Sequence, residues 1–298
     1  MTKEKDHKIG GQAVIEGVMM RAPKVMTVAV RRPSGEIVVK RQRLSLLSDR
    51  FPSLKIPFVR GTVSLFGMVI LGIKALNYSA QQALDEDEGE IGPWAMAGTM
   101  AGALVLAIVL FLLFPLWMTR LLQGHFAWIE GRWGFNLMDG ILRLGVFLLY
   151  LASITLIKDV KRIFQYHGAE HKSIYAMEAG DELTVANARG YSPMHPRCGT
   201  SFLLIVMVLS ILVFAQIPHA WPFWGKGLAR IGLLPVIAGL SYELLRLGDR
   251  YRNRTAFRIL LFPGLMLQKL TTREPSDDQL EVALTALREA IIAEGADS

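Results

Sequence analysis

The stretch Trp94-Ala95-Met96-Ala97-Gly98-Thr99-Met100-Ala101-Gly102-Ala103-Leu104-Val105-Leu106-Ala107-Ile108-Val109-Leu110-Phe111-Leu112-Leu113-Phe114-Pro115-Leu116-Trp117-Met118 runs 25 residues without a charge. A helix of that length crosses the roughly 30 Å of hydrocarbon in a bilayer. Outward from it, Gly140 to Ile157, Ser201 to Ile217 and Gly227 to Leu247 are apolar over similar lengths, and together they predict about four transmembrane helices. A fifth apolar stretch, Ile56 to Leu76, is interrupted by Arg60, Lys74 and several glycines, so an interfacial or re-entrant helix fits it as well as a crossing. Composition agrees, with 52% hydrophobic residues among 298 and a mean hydropathy of +0.34. The expected fold class is an α-helical integral membrane protein.

A net charge of +7 raises nucleic acid as a partner, but the placement of the charges argues for a lipid bilayer instead. Fourteen Lys and Arg precede Trp94, six lie between Lys158 and Arg197, and eight follow Leu245, whereas Thr119 to Asp139 and Pro218 to Lys226 hold three between them. By the positive-inside rule this predicts a multi-pass protein with both termini and the His-containing loop cytoplasmic, provided Ile56 to Leu76 does not cross. The opening Met1-Thr2-Lys3-Glu4-Lys5-Asp6-His7-Lys8 leads into no apolar core, so insertion is expected through the first true span. Cys198 is the only cysteine, which excludes an intrachain disulfide and leaves a thiol that can ligate a metal.

Six segments follow. Residues 1–55 form a basic N-terminal domain: Ile9 to Arg21 reads as a short buried strand, and Val25 to Arg31 and Glu36 to Arg43 flank Pro33-Ser34-Gly35 as a β-hairpin. Arg31, Arg32, Lys40, Arg41 and Arg43 would hold it to anionic lipid. Residues 56–93 carry the interrupted apolar helix and the acidic linker Asp85-Glu86-Asp87-Glu88-Gly89-Glu90. Residues 94–157 hold the first two spans, joined by a loop with His125, Trp128 and Trp133; Arg143 either snorkels or pairs with Asp139. Residues 158–200 form a cytoplasmic helix and loop, and 201–247 the last two spans. In 248–298, Arg250, Arg252, Arg254 and Arg258 precede an interfacial segment at Leu260 to Leu267. Ser276 and Gln279 then cap an amphipathic helix seamed by Leu280, Leu284, Leu287 and Ile291, which docks on the protein's own cytoplasmic domain.

The chemistry concentrates in His167-Gly168-Ala169-Glu170-His171 and His195-Pro196-Arg197-Cys198. On a helix continuing from the second span, His167 and His171 share a face with Glu170 beside them, in the His-x-x-Glu-His order of inverted zincins. There two neutral imidazoles hold Zn²⁺ and the carboxylate works on metal-bound water. The proline-fixed loop Asp181 to Thr200 delivers further ligands; His195, with more slack, is expected to reach the pair more easily than Cys198. Four ligands would make a closed structural site, three an open catalytic one. Secondary candidates are Glu16, Glu178, which lies about 10 Å along the helix from His171, and Glu243, an ionisable group near the end of the last span whose bland reading is a pair with Arg246 or Arg250.

Gly10-Gly11-Gln12-Ala13-Val14-Ile15-Glu16-Gly17-Val18-Met19-Met20-Arg21, His167 to Lys172 and Met194-His195-Pro196-Arg197-Cys198-Gly199-Thr200 together resemble the YqhQ-like family of bacterial membrane proteins, a family of unknown function whose members are labelled predicted metal-dependent enzymes. The resemblance covers nearly the whole chain and implies the bacterial cytoplasmic membrane. The expected function is a zinc hydrolase at the cytoplasmic membrane face, with Glu170 as base and His167, His171, His195 and Cys198 as metal ligands. The alternative is a non-enzymatic assembly or regulatory subunit, docked on other membrane proteins, whose closed zinc site staples loop to helix. A transporter is disfavoured, because the sequence lacks the paired broken helices and buried charges expected of one.

Overall fold

A computed structural model describes residues 9–44, 56–84, 92–196, 198–218, 220–250 and 255–296. The acidic linker Asp85 to Glu90, Arg197, Arg252 and Arg254, and the side chains of Arg250 and Arg258, lie outside the described residues.

The N-terminal segment forms a four-stranded antiparallel meander: β1 (Gly10–Val14), β2 (Gly17–Arg21), β3 (Val25–Arg31) and β4 (Ile37–Arg43). The hairpin at Pro33-Ser34-Gly35 is the expected one, with Arg31 opposite Ile37 and Gly35 at φ 88° closing the turn. The stretch Ile9 to Arg21 is two strands, not one. It reverses at Ile15-Glu16, where Glu16 takes a left-handed φ of 50°, and Val14 pairs with Gly17. Both faces of β2 and β3 are covered, which is why their sequences alternate only partially between apolar and polar. Val18, Met20 and Ala29 face one core, and Val14, Met19, Met26 and Val28 the other.

The first of these cores is built from distant parts of the chain. Helix α5 (Lys158–Ala179) contributes Tyr166 and Ala169, and helix α10 (Asp277–Ala296) contributes Leu280, Leu284 and Leu287. The Gln279 side chain accepts from the Ser276 backbone N–H at 2.9 Å, the returning half of the capping box that starts α10. Arg31 pairs with Glu281 at 2.7 Å, and Arg41 with Glu289, tying sheet to helix at the rim. The second core is closed by helix α1 (Val59–Gln82), whose Leu71, Ala75 and Tyr78 pack on the sheet.

Four helices are long and apolar enough to cross a membrane: Val59–Gln82, Trp94–Leu122, Arg132–Ile154 and Phe223–Gly248. Three of them contain or overlap the expected spans from Trp94, Gly140 and Gly227; the fourth, Val59–Gln82, stands in place of Ser201 to Ile217. Helix α7 (Gly199–Phe214) is 16 residues, about 24 Å at 1.5 Å per residue, and stops short of Ile217. It nevertheless joins the two ends of the helical layer: Cys198 caps it beside His167, and at its far end Arg132 donates to the Ala215 carbonyl. Conversely, α1 meets the length criterion, yet one face of its C-terminal half is occupied by the sheet while Phe66, Val69 and Ile70 are exposed.

The long run from Trp94 is α2 (Pro93–Ile108) and α3 (Phe114–Leu122), joined by a π-helical turn at Val109–Leu113, with Pro115 inside the first turn of α3. Helix α4 (Arg132–Ile154) begins two turns earlier than Gly140. It does not continue into α5, because Ile157 is extended at φ −79°, ψ 127°. The early start is possible because Asp139 is neutralised twice, by Arg143 at 2.5 Å and by Arg230 of helix α8 (Phe223–Arg250) at 2.6 Å. Arg143 also donates to Ser210 at 2.7 Å, and both guanidiniums lie on the Phe214 ring. Buried charges are therefore present between these helices, contrary to the sequence reading, which overlooked Arg230. Leu260 to Leu267 belongs to helix α9 (Thr255–Thr271), a longer element than expected that carries Pro263 internally. A short helix α6 (Val185–Arg189), capped by Thr184, interrupts the loop after α5.

Removing one member of a buried ion cluster leaves its partners uncompensated, at a cost of about 3–5 kcal/mol. Asp139→Ala is thus expected to lower the thermal midpoint of the detergent-purified protein by many degrees, with Ser210→Ala much milder; equal midpoints for Asp139→Ala and wild type would mean the triad is solvated. Leu284→Ala, in the core shared by sheet and α10, is expected to cost about 2–5 kcal/mol. Hydrogen exchange should show that loss in the amides of β2 and β3.

Candidate metal centre

Helix α5 presents His167, Glu170 and His171 on one face, and the N-terminus of α7 brings Cys198 to meet them. Ligand atoms of His167, His171 and Cys198 all lie within 4.8 Å of one another, and Cys198 Sγ is 3.3 Å from His167 Nε2. In a tetrahedral zinc site an N and an S ligand stand about 3.5 Å apart.

Both imidazoles have their tautomer fixed by backbone. His167 Nδ1 lies 2.8 Å from the Thr271 carbonyl and His171 Nδ1 2.5 Å from the Pro193 carbonyl. A carbonyl only accepts, so in the neutral ring each Nδ1 carries the proton and each Nε2 presents its lone pair, the arrangement metal-binding histidines use. Burial holds the His171 pKa below its ordinary value, opposed by Cys198, which favours the neutral ligand form. Two glycines create the space for this. A Cβ on Gly168 would stand 2.1 Å from the Arg273 carbonyl, so only glycine lets the segment carrying Thr271 cross the helix here.

The other is Gly11. Its Cβ would meet the Glu170 side chain at 2.6 Å, and its N–H donates to the Glu170 carboxylate. Glu170 is buried, and burial raises its pKa, with the neighbouring histidines and that N–H pulling the other way. Its Oε2 is 3.5 Å from His171 Nε2. A carboxylate fixed beside the histidine lone pairs, and poised to take a proton, is what a general base requires.

The structure reverses the expected order of His195 and Cys198. Cys198, not His195, completes the trio, because α7 starts at the level of His167 and its cap residue points back into the site. His195 is buried one ring further out, 5.7 Å from His171 between centroids and 3.5 Å from Glu178. Gln268 of α9 fixes it there: its Oε1 accepts from the His195 N–H and its Nε2 donates to the His195 carbonyl, both at 2.8 Å. Glu178 thus contacts His195 and stands apart from the trio. Glu16 is taken up by Arg162, with Tyr166 donating at 3.3 Å, and Glu243 by the fork of Arg60, at 2.7 and 2.5 Å. Neither stands among the ligand atoms; Glu243 is bonded by Arg60, with Arg246 acting on it through its charge, and the side chain of Arg250 lies outside the described residues. Lys172, next to His171, turns away to Glu274 and the Arg189 carbonyl.

His167, Glu170, His171 and Cys198 open onto a cavity of about 570 Å³ that continues past Gly11 and Arg21 of the sheet to Met68 of α1 and Tyr242 of α8. Sequence reasoning missed Gln268 and Arg21. Gln268 had a signal, as the polar residue in an apolar run, since a buried amide needs partners; Arg21 had none beyond its charge at a strand end.

The protein "Uncharacterized protein YqhQ" of Bacillus subtilis (strain 168) is 32% identical over 306 aligned residues, spanning 96% of this chain and 94% of that protein. No solved structure matches the chain. Residues 56–293 match the family described as "Protein of unknown function (DUF1385)", and by that match and the similarity to YqhQ the chain belongs to this family.

Proposed function

We propose that the chain is a membrane-embedded, zinc-dependent hydrolase acting at the cytoplasmic face of the bacterial inner membrane. The observation that carries the reading is the pair of backbone-pinned imidazoles whose Nε2 atoms converge with Cys198 Sγ beside a buried Glu170, on the wall of a substrate-sized cavity. His167, His171 and Cys198 hold the metal and leave a fourth position open. Zinc bound there supplies Lewis acidity and lowers the pKa of water toward neutrality. Glu170 takes the proton from the attacking water and returns it to the leaving group, while Gly11 N–H keeps the carboxylate aimed.

Membrane topology supports the location. The ends of α3 and α7 and the starts of α4 and α8 carry Trp117, Trp128, Trp133, Trp221 and Trp224, all 47–69% exposed, as an aromatic belt away from the metal centre. The basic sheet, α5 and α10 gather at the opposite end, which the positive-inside rule makes cytoplasmic together with both termini. With α1 lying in the interface and α7 crossing beside α4, the chain has four crossings and an even topology. Non-enzymatic assembly or regulation is the second reading, favoured by His195 next to His171: a modest ring movement would close a His₃Cys site.

Metal analysis separates the two. Wild-type protein is expected to hold about one zinc per chain, lost in His167→Ala and Cys198→Ala and retained in His195→Ala; loss in His195→Ala would favour the closed, structural site. Glu170→Gln is expected to keep the metal and trap substrate, so that material co-purifying with it, offered to wild type, is cleaved. Intact material after that incubation would count against hydrolysis. Gly11→Val, which forces the carboxylate aside, should retain zinc and reduce turnover by about a hundredfold or more, the general-base contribution.

A further inference from the structure

The cavity carries a cation that the metal chemistry does not use. Arg21 ends β2, so its backbone is fixed by pairing with Gly10 and Met26, and it lines the cavity with Glu170 and Cys198. Among the described residues its guanidinium donates from Nη1 to the Met68 thioether at 2.7 Å, a contact that neutralises no charge. Other cations of the same domain have carboxylates: Arg31 has Glu281, Arg162 has Glu16 and Lys172 has Glu274. Burial also lowers the Arg21 pKa, opposed by Tyr242. A half-buried guanidinium facing an open cavity is costly unless an anion arrives there.

The rest of the cavity indicates what accompanies that anion. Its wall passes from the sheet to Met68 on α1 and Tyr242 on α8. On its other side α1 exposes Phe66, Val69 and Ile70, a surface suited to lipid. The space therefore runs from the metal-competent end, past Ile9, Ala22 and Ile174, to Ser64 and Met68 of α1 and Tyr242 of α8.

We propose that the cavity binds an amphiphile with an anionic headgroup, phosphate or carboxylate, gripped by the Arg21 fork while its chain lies along α1 and α8. Binding stands on the cavity itself; the statement that this amphiphile is the substrate rests on the hydrolase reading above.

The test uses the full chain in a neutral maltoside detergent, with zinc content measured on the same preparations. Dodecyl phosphate, dodecanoate and dodecyltrimethylammonium are the probes, followed by calorimetry. At least one anionic probe should bind and the cationic one should not; the tighter of the two anions identifies the headgroup. Arg21→Gln should weaken that binding about tenfold or more without changing zinc content, and Arg21→Lys should retain part of it. Met68→Trp, which fills the cavity and keeps the cation, should also abolish binding and covers the case in which Arg21→Gln misfolds. Wild-type affinity in Arg21→Gln or in Met68→Trp, binding of the cationic probe as tight as the anions, or no binding of either anion would overturn the proposal. Arg21-dependent binding in protein that holds no zinc would instead sink the hydrolase reading and leave the anion site standing.

Discussion

The passage of the Thr271 to Glu274 segment across Gly168 is the constraint on which the rest depends. The segment can cross so close only because no Cβ stands there, and the Arg273 N–H donates to the Phe164 carbonyl at 2.9 Å. From that one crossing, Thr271 fixes His167, Glu274 receives Lys172, and the chain is aimed from α9 into α10, which covers the sheet. Gln268, one turn earlier on α9, holds the His195 peptide. A single run of about ten residues thus sets the tautomer of one histidine, the position of a second and the lid of a hydrophobic core.

Much of this was legible as pattern. Charge-free length gave the Trp94 helix, the turn residues Pro33-Ser34-Gly35 gave the β3–β4 hairpin, and Ser276 with Gln279 marked the start of α10. Helical spacing put His167, Glu170 and His171 on one face. What failed were inferences that needed a third dimension. The reach of His195 against Cys198 was judged from loop slack, whereas it is decided by the level at which α7 begins. Arg230 was overlooked because its partner Asp139 is 91 residues away, and periodicity carries no record of such distant pairs. A two-residue reversal at Ile15-Glu16 lacks the Gly or Asn that usually marks one, so two strands read as one.

Helix α1 has two unlike faces. Gly72 approaches Gln12 and Ala75 sits in the second sheet core, while Phe66, Val69 and Ile70 on the other side are exposed. Near its start, Gly61 admits Tyr242 and Arg60 is held by Glu243, so α1 is anchored to α8 before it reaches the sheet.

The hydrophobic core under α10 joins β-strands made before every apolar helix to a helix made after all of them. During synthesis the sheet must wait, with Val18 and Met20 uncovered, until the helical layer is complete and α10 emerges. Thr271 likewise reaches His167 only after the apolar helices have been made. The three converging side chains are therefore all present in a partly made chain, but the carbonyl that fixes the His167 ring arrives about seventy residues after the last of them.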